Sequence, residues 1–266
     1  MLLLAVENGY DPSPLLARVP DRVEPRIRPA PAGVTGAGLR RFMLQAATGL
    51  PVESLIFADF DDRLLPDALG QHAAALANAD ISYGDMDIID ETGQSPKRRF
   101  FVGADIPAAL SSPEAVLYRN FLGFGNTAMR TSALKAEACA IPDAVTAADW
   151  WFFTMLLASG LQARRTEDSV AEYRVYRESV LGGAVTTSEG LRRRADIVRR
   201  HYAHLPANLC TAACAAVVER LIAQIEASSV DIEPLLGAAI RGSGVWFEDV
   251  ARAAAAPVSL ANQAKI

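Results

Sequence analysis

The chain has 266 residues, 51% of them hydrophobic and 7% aromatic, with a formal net charge of −5. That apolar content at this length excludes a mostly disordered chain, and three cysteines exclude a disulfide scaffold. The acidic balance argues against a general nucleic-acid binder, and no run approaches the roughly 18 apolar residues of a membrane span.

Leu2–Val6 is a predicted strand, closed by the turn formers of Glu7-Asn8-Gly9-Tyr10-Asp11-Pro12. Pro25 limits Arg22–Ile27 to an edge strand. Gly38–Ala47 has helical spacing, with Gly49 placed to stop it. Gly33-Val34-Thr35-Gly36-Ala37-Gly38 is similar to a dinucleotide-binding loop, but no strand precedes it, so a turn opening a helix is the better account. Leu55-Ile56-Phe57-Ala58 is a short apolar run of the kind a buried parallel strand shows. Helical character follows over Asp67–Asn78, and a strand over Ile81–Ile89 ends at the turn Asp90-Glu91-Thr92-Gly93.

Further on, Pro113–Asn120 reads as helical, Asn126–Met129 as extended and Thr131–Ala138 as helical. Asp149–Ser159 is an apolar helix stopped by Gly160, and Val170–Val175 is one more strand. Beyond about residue 185 only helix patterns remain, at Ser188–His201 and Thr211–Ala227. The alternation predicts an α/β domain with a mostly parallel sheet flanked by helices over residues 1–185, then a helical C-terminal extension over 186–266.

Three carboxylates crowd Asp59-Phe60-Asp61-Asp62 directly after an apolar run. Like charges so close disfavour burial without a cation, and hard divalent ions prefer such oxygen ligands. An acidic, solvated turn capping the next helix is the other account. A phosphatase with its nucleophile at Asp59 would need its later metal motif far beyond Gly84-Asp85. His201, His204, Cys210 and Cys214 can be drawn as a zinc site, but their spacing fits no usual pattern, and buried thiols are the simpler account.

Order and spacing add to this. The acidic turn and Pro66 are followed by Asp80-Ile81-Ser82-Tyr83-Gly84-Asp85 and Ile89-Asp90-Glu91-Thr92-Gly93. Gly125-Asn126-Thr127-Ala128-Met129-Arg130 and Ala148-Asp149-Trp150-Trp151 come next. This succession, over roughly residues 2 to 180, resembles family 2 glycosyltransferases of the GT-A fold. The resemblance implies sugar transfer from a nucleotide-sugar donor to a saccharide or lipid-linked acceptor, by inversion, with Mg²⁺ or Mn²⁺, in bacterial surface-polysaccharide assembly. It implies metal contacts at Asp61 and Asp62, donor contacts at Glu7, Asn8, Arg40, Asp59, Asp61 and Arg174, and a general base at Asp149.

A GT-A-like chain serving as a non-catalytic binding or scaffold protein is the alternative. Family members open with a further strand and helix ahead of the one that Leu2–Val6 resembles, so the chain reads as short at its front. The implied setting is cytoplasmic, at the inner membrane face, where Arg192, Arg193, Arg194, Arg199 and Arg200 could meet anionic lipid or form a solvated helix face.

Overall fold

The structure, a computed structural model, describes residues 1–6, 9–95, 99–101, 105–117, 119–175 and 188–209, with 215–216, 219–220 and 222–223. It is a mixed α/β protein whose central sheet is flanked by helices.

Two sheets are present among the described residues. The smaller pairs β1 (Leu2–Val6) with β2 (Pro25–Pro29) in parallel, and Pro25 begins β2, where a missing N–H is tolerated. Between them lies the single turn α1 (Ser13–Leu16), and after them α2 (Gly36–Ala47). Thr35 caps α2 by accepting the Gly38 N–H at 3.0 Å, so the glycine-rich stretch is a helix opening. Gly49, at φ 78°, ends the segment in a conformation that suits glycine.

The larger sheet holds β3 (Ser54–Ile56), β4 (Arg63–Leu64), β5 (Ile81–Ile89), β6 (Ala109–Leu110), β7 (Thr127–Arg130) and β8 (Ala163–Arg174). Its order is β3-β7-β5-β8-β4, with β6 also on β8. The two long ladders, β1–β2 and β5–β8, are parallel; the other four, each of two or three paired residues, are antiparallel. β3 is therefore a short, half-buried edge strand antiparallel to β7, where the sequence suggested a buried parallel strand. β8 begins seven residues earlier than its apolar end suggested, because its first half is polar and is held by β5 and β6. Gly84 lies at the irregular point of the β5–β8 ladder, where an added Cβ would come within 2.6 Å of Thr166 and Val170.

The helices α3 (Ala68–Leu76), α4 (Ala136–Cys139), α5 (Ala148–Ala158) and α6 (Ser188–His204) complete the described fold. Pro113–Asn120 forms only the 3-10 turn Glu114–Val116, and Thr131–Ala138 divides into the 3-10 turn Thr131–Ala133 and the start of α4. α5 buries residues on every side, including Trp150, Trp151, Phe152, Phe153, Leu156 and Leu157. Such a helix lives in the core. Ala195, Val198, Tyr202 and Leu205 join that same core, which seats α6 against α5. Of Thr211–Ala227 only 215–216, 219–220 and 222–223 are described, all of them helical, and Cys210 and Cys214 lie outside the described residues. No described helix is long and apolar enough to cross a membrane.

Candidate functional site

A cleft of about 570 Å³ opens where several chain segments meet. Asp59–Asp62 follow the C-terminal end of β3, and Tyr173 and Arg174 close the C-terminal end of β8. Gly123–Asn126 lead into β7, α2 contributes Arg40, and the first turn of α5 contributes Asp149. Strand ends are the usual crevice of α/β proteins.

An aromatic cluster sets the floor. Phe57, just ahead of the acidic turn, meets Phe124 edge-on at 5.2 Å, and both rings pack on Phe152 and Phe153 of α5. These contacts hold the acidic turn, the Gly123–Asn126 turn and α5 around one volume. Asn126 fixes the middle one: its Nδ2 donates to the Gly84 and Phe121 carbonyls, and its Oδ1 accepts the Gly123 N–H at 2.7 Å.

The acidic turn is held by backbone as well as charge. Asp62 N–H donates to the Asp59 carbonyl at 3.2 Å, and Arg174 N–H donates to Asp62 Oδ1 at 2.9 Å. The Arg174 guanidinium donates to the carbonyls of Asp61, Asp90 and Glu91 at 2.9–3.1 Å, tying the turn to the hairpin end. Asp62 Oδ2 is buried without a hydrogen-bond partner among the described residues, against Gly125, where any Cβ would stand 2.7 Å away. Burial, with Asp59 and Asp61 repelling it, pushes the Asp62 carboxyl up to about 7. Asp59 forms an ion pair with Arg40, whose guanidinium also sits 5.3 Å over the Phe124 ring. Phe60, between these carboxylates, is 98% exposed at the cleft.

Asp149 is the second residue of α5, not its N-cap, which is Ala147. Its Oδ1 accepts the Trp150 N–H at 2.7 Å and the Asn120 amide at 3.4 Å. It is half-buried, with one face left to the cleft. Burial, and then the charge of Asp59, raise its carboxyl to about 6, although the Trp150 N–H, Arg40 and Asn120 act the other way. The Tyr173 phenol is also held well above its ordinary value, first by burial and then by Asp62, Asp59, Asp149 and Asp61.

Six residues singled out in the sequence thus line one cleft: Arg40, Asp59, Asp61, Asp62, Asp149 and Arg174. Glu7 and Asn8 lie outside the described residues. Gly123, Phe124 and Asn120 were not singled out; the glycines at 123 and 125 were the available signal. Asp85 belongs elsewhere: it is buried, accepts the Met86 and Phe101 N–H groups and faces Arg165, which makes it structural and leaves the phosphatase alternative without its later metal motif.

Among the described residues no three or more His, Cys, Asp or Glu side chains group closely enough to hold a metal by themselves. The acidic turn still fits a cation that takes one or two carboxylates and fills its shell from a ligand. Asp62 Oδ2 is buried with no hydrogen-bond partner among the described residues, a donor oxygen that a cation would satisfy.

Fold and cleft together define a mixed α/β protein with a carboxylate-lined cavity at its strand ends. No protein-family model matches the sequence, and no curated protein matches it. Among solved structures, the crystal structure of S. aureus TarS, a glycosyltransferase, overlaps with a TM-score of 0.44 at 14% sequence identity. The overlap covers 86% of this chain and 45% of that one, so the chain spans less than half of the TarS chain. A likeness this loose transfers no function, and the chemistry rests on the cleft itself.

Proposed function

We propose that the chain is a GT-A-like glycosyltransferase that moves a sugar from a nucleotide-sugar donor to a saccharide or lipid-linked acceptor, with inversion. The observation that supports this most is the convergence of Asp62 and Asp149, two carboxyls both raised in pKa, on one cleft. Asp149, poised near 6, suits a general base that takes the acceptor hydroxyl's proton. The acidic turn takes the donor: Asp61 and Asp62 would hold Mg²⁺ or Mn²⁺, which when bound supplies positive charge for the departing diphosphate. Arg40, through its contact with Asp59, sets the charge beside the donor, and Arg174 keeps the turn in place. Glu7 and Asn8, outside the described residues, are the further donor contacts that this reading assigns. Exposed Arg192 on α6 is the group available to an anionic membrane face, with Arg193 held only by a long 3.9 Å pair to Glu189, whereas Arg199 and Arg200 pair closely with Asp196. The pathway is bacterial surface-polysaccharide assembly, in the cytoplasm.

The test is thermal melting with UDP and GDP, with and without Mn²⁺, followed by turnover of a nucleotide-sugar panel. The expected result is a Mn²⁺-dependent rise in melting temperature that Asp62→Ala abolishes. Asp149→Asn should keep the rise and lose turnover. An undiminished rise in Asp62→Ala refutes the metal assignment, and full turnover in Asp149→Asn refutes the base. A wild-type rise with no turnover of any donor marks a non-catalytic binding protein of the same fold.

A further inference from the structure

α6 packs on Trp150, the residue that follows Asp149. His201 is fully buried and lies flat on Trp150, with ring centroids 4.0 Å apart and planes 9° from parallel. Neither His201 ring nitrogen has a hydrogen-bond partner among the described residues, and burial lowers the imidazole to about 3, so the ring is neutral. A buried histidine with both nitrogens unsatisfied costs stability, and its flat face is what it offers the fold.

Trp150 is the residue whose N–H holds Asp149 Oδ1. Its indole N–H is anchored on the Val116 carbonyl at 2.5 Å. Asn120, four residues beyond Val116 in the sequence, is the other donor to Asp149 Oδ1. Tyr202, next to His201, packs on Trp150 at 5.9 Å and donates its hydroxyl to the Leu117 carbonyl at 2.6 Å. Trp151 Nε1 reaches the His204 carbonyl at 3.4 Å. Trp150, one of the two supports of Asp149, is therefore gripped by one turn of α6.

We propose that His201 is a positioning residue, and that α6 holds the Asp149 carboxylate in its cleft by clamping Trp150. The role assigned to that carboxylate rests on the transferase function proposed above; the clamp itself does not. Without the imidazole, Trp150 can tip into the vacated space and water can reach Asp149 from behind. The other groups facing Asp149 are Arg40 from α2, Asp59 from the acidic turn and Tyr173 from β8.

The experiment is a pH titration of the Asp149 carboxyl, read by NMR on protein labelled with ¹³C at aspartate Cγ, its signal assigned by loss in Asp149→Asn. In wild type the expected midpoint is about 6. In His201→Ala it should fall by about one pH unit or more, towards the ordinary carboxylate value near 4. His201→Phe, which keeps a flat ring, should leave it in place. If His201→Ala does not fold, His201→Leu fills the volume without stacking and should show the same fall. An unmoved midpoint in the folded stackless variant overturns the proposal, as does an equal fall in His201→Phe. Neither nucleotide nor turnover enters this titration, so an inactive transferase and an absent clamp are separate failures.

Discussion

Burial raises a carboxyl on each side of the cleft, but the two sides hold that carboxyl in place by different means. On the α5 side Asp149 stands in the first turn of a helix buried all round, and the packing behind it does the holding. On the acidic-turn side the chain is irregular: Asp62 accepts the Arg174 backbone N–H, the Arg174 guanidinium holds the Asp61 carbonyl, and Asp59 and Asp61 crowd the Asp62 carboxyl. A charge carried on a packed helix depends on side chains deep in the core. A charge carried on a turn depends on a few polar contacts near the surface.

The widest break in this comparison comes from the core. Phe152→Ala removes a ring with no exposed surface that touches both Phe57 and Phe124, and should cost about 3–5 kcal/mol in chemical denaturation. It should loosen both sides at once, because the same cluster supports them. Arg174→Ala frees the acidic turn from the Asp90–Glu91 turn: the loss of charged hydrogen bonds to three carbonyls should cost about 1.5–3 kcal/mol. Hydrogen exchange should then quicken in residues 59–62 and leave α5 unchanged.

The pH dependence separates the two sides more finely. Both carboxyls sit above their unfolded value of about 4. Their protonated forms therefore stabilise the fold fully below that value, and the benefit is lost as pH rises through about 6 for Asp149 and about 7 for Asp62. Asp62→Asn should flatten the decline, most clearly over the last part of that window, for a gain on the order of 1–2 kcal/mol at pH 8. Melting curves from pH 4 to 8 check it. The smallest effect belongs to Phe60→Ser, which exchanges a ring that is 98% exposed and should change stability by less than about 0.5 kcal/mol.

Elements whose pattern and boundaries agree were legible in the sequence. Ile81–Ile89 runs as expected to the Asp90–Gly93 turn, and the apolar helix begins one residue before Asp149 and stops ahead of Gly160. β8 was half hidden, because Ala163–Ser169 alternates too weakly to show a buried face and is a strand through its partners. The direction of β3 was hidden too, since three residues of apolar run say nothing about which way the neighbour points. Within the cleft, Asp59, Asp61, Asp62 and Asp149 stood out by charge against an apolar background. Gly125 and Asn126 stood out only as the start of a motif, and Gly123 and Phe124 not at all, because that turn contributes backbone shape and one well-satisfied amide. The hold of α6 on Trp150 had no sequence signal, since a stacked pair some fifty residues apart is visible only once the helices pack.

α5 has a consequence for the order in which the chain is made. Trp150 to Leu157 leaves the ribosome as a nearly unbroken apolar stretch, and the segments that complete its burial, β8 and α6, are synthesised after it. During that interval the stretch has no native cover on that side and carries no charge to discourage self-association. Synthesis from Ala158 to His204 is thus the vulnerable period in this protein's biogenesis, and a ribosome pause within it would expose the helix for longer. A chaperone that binds short apolar segments has its natural target there.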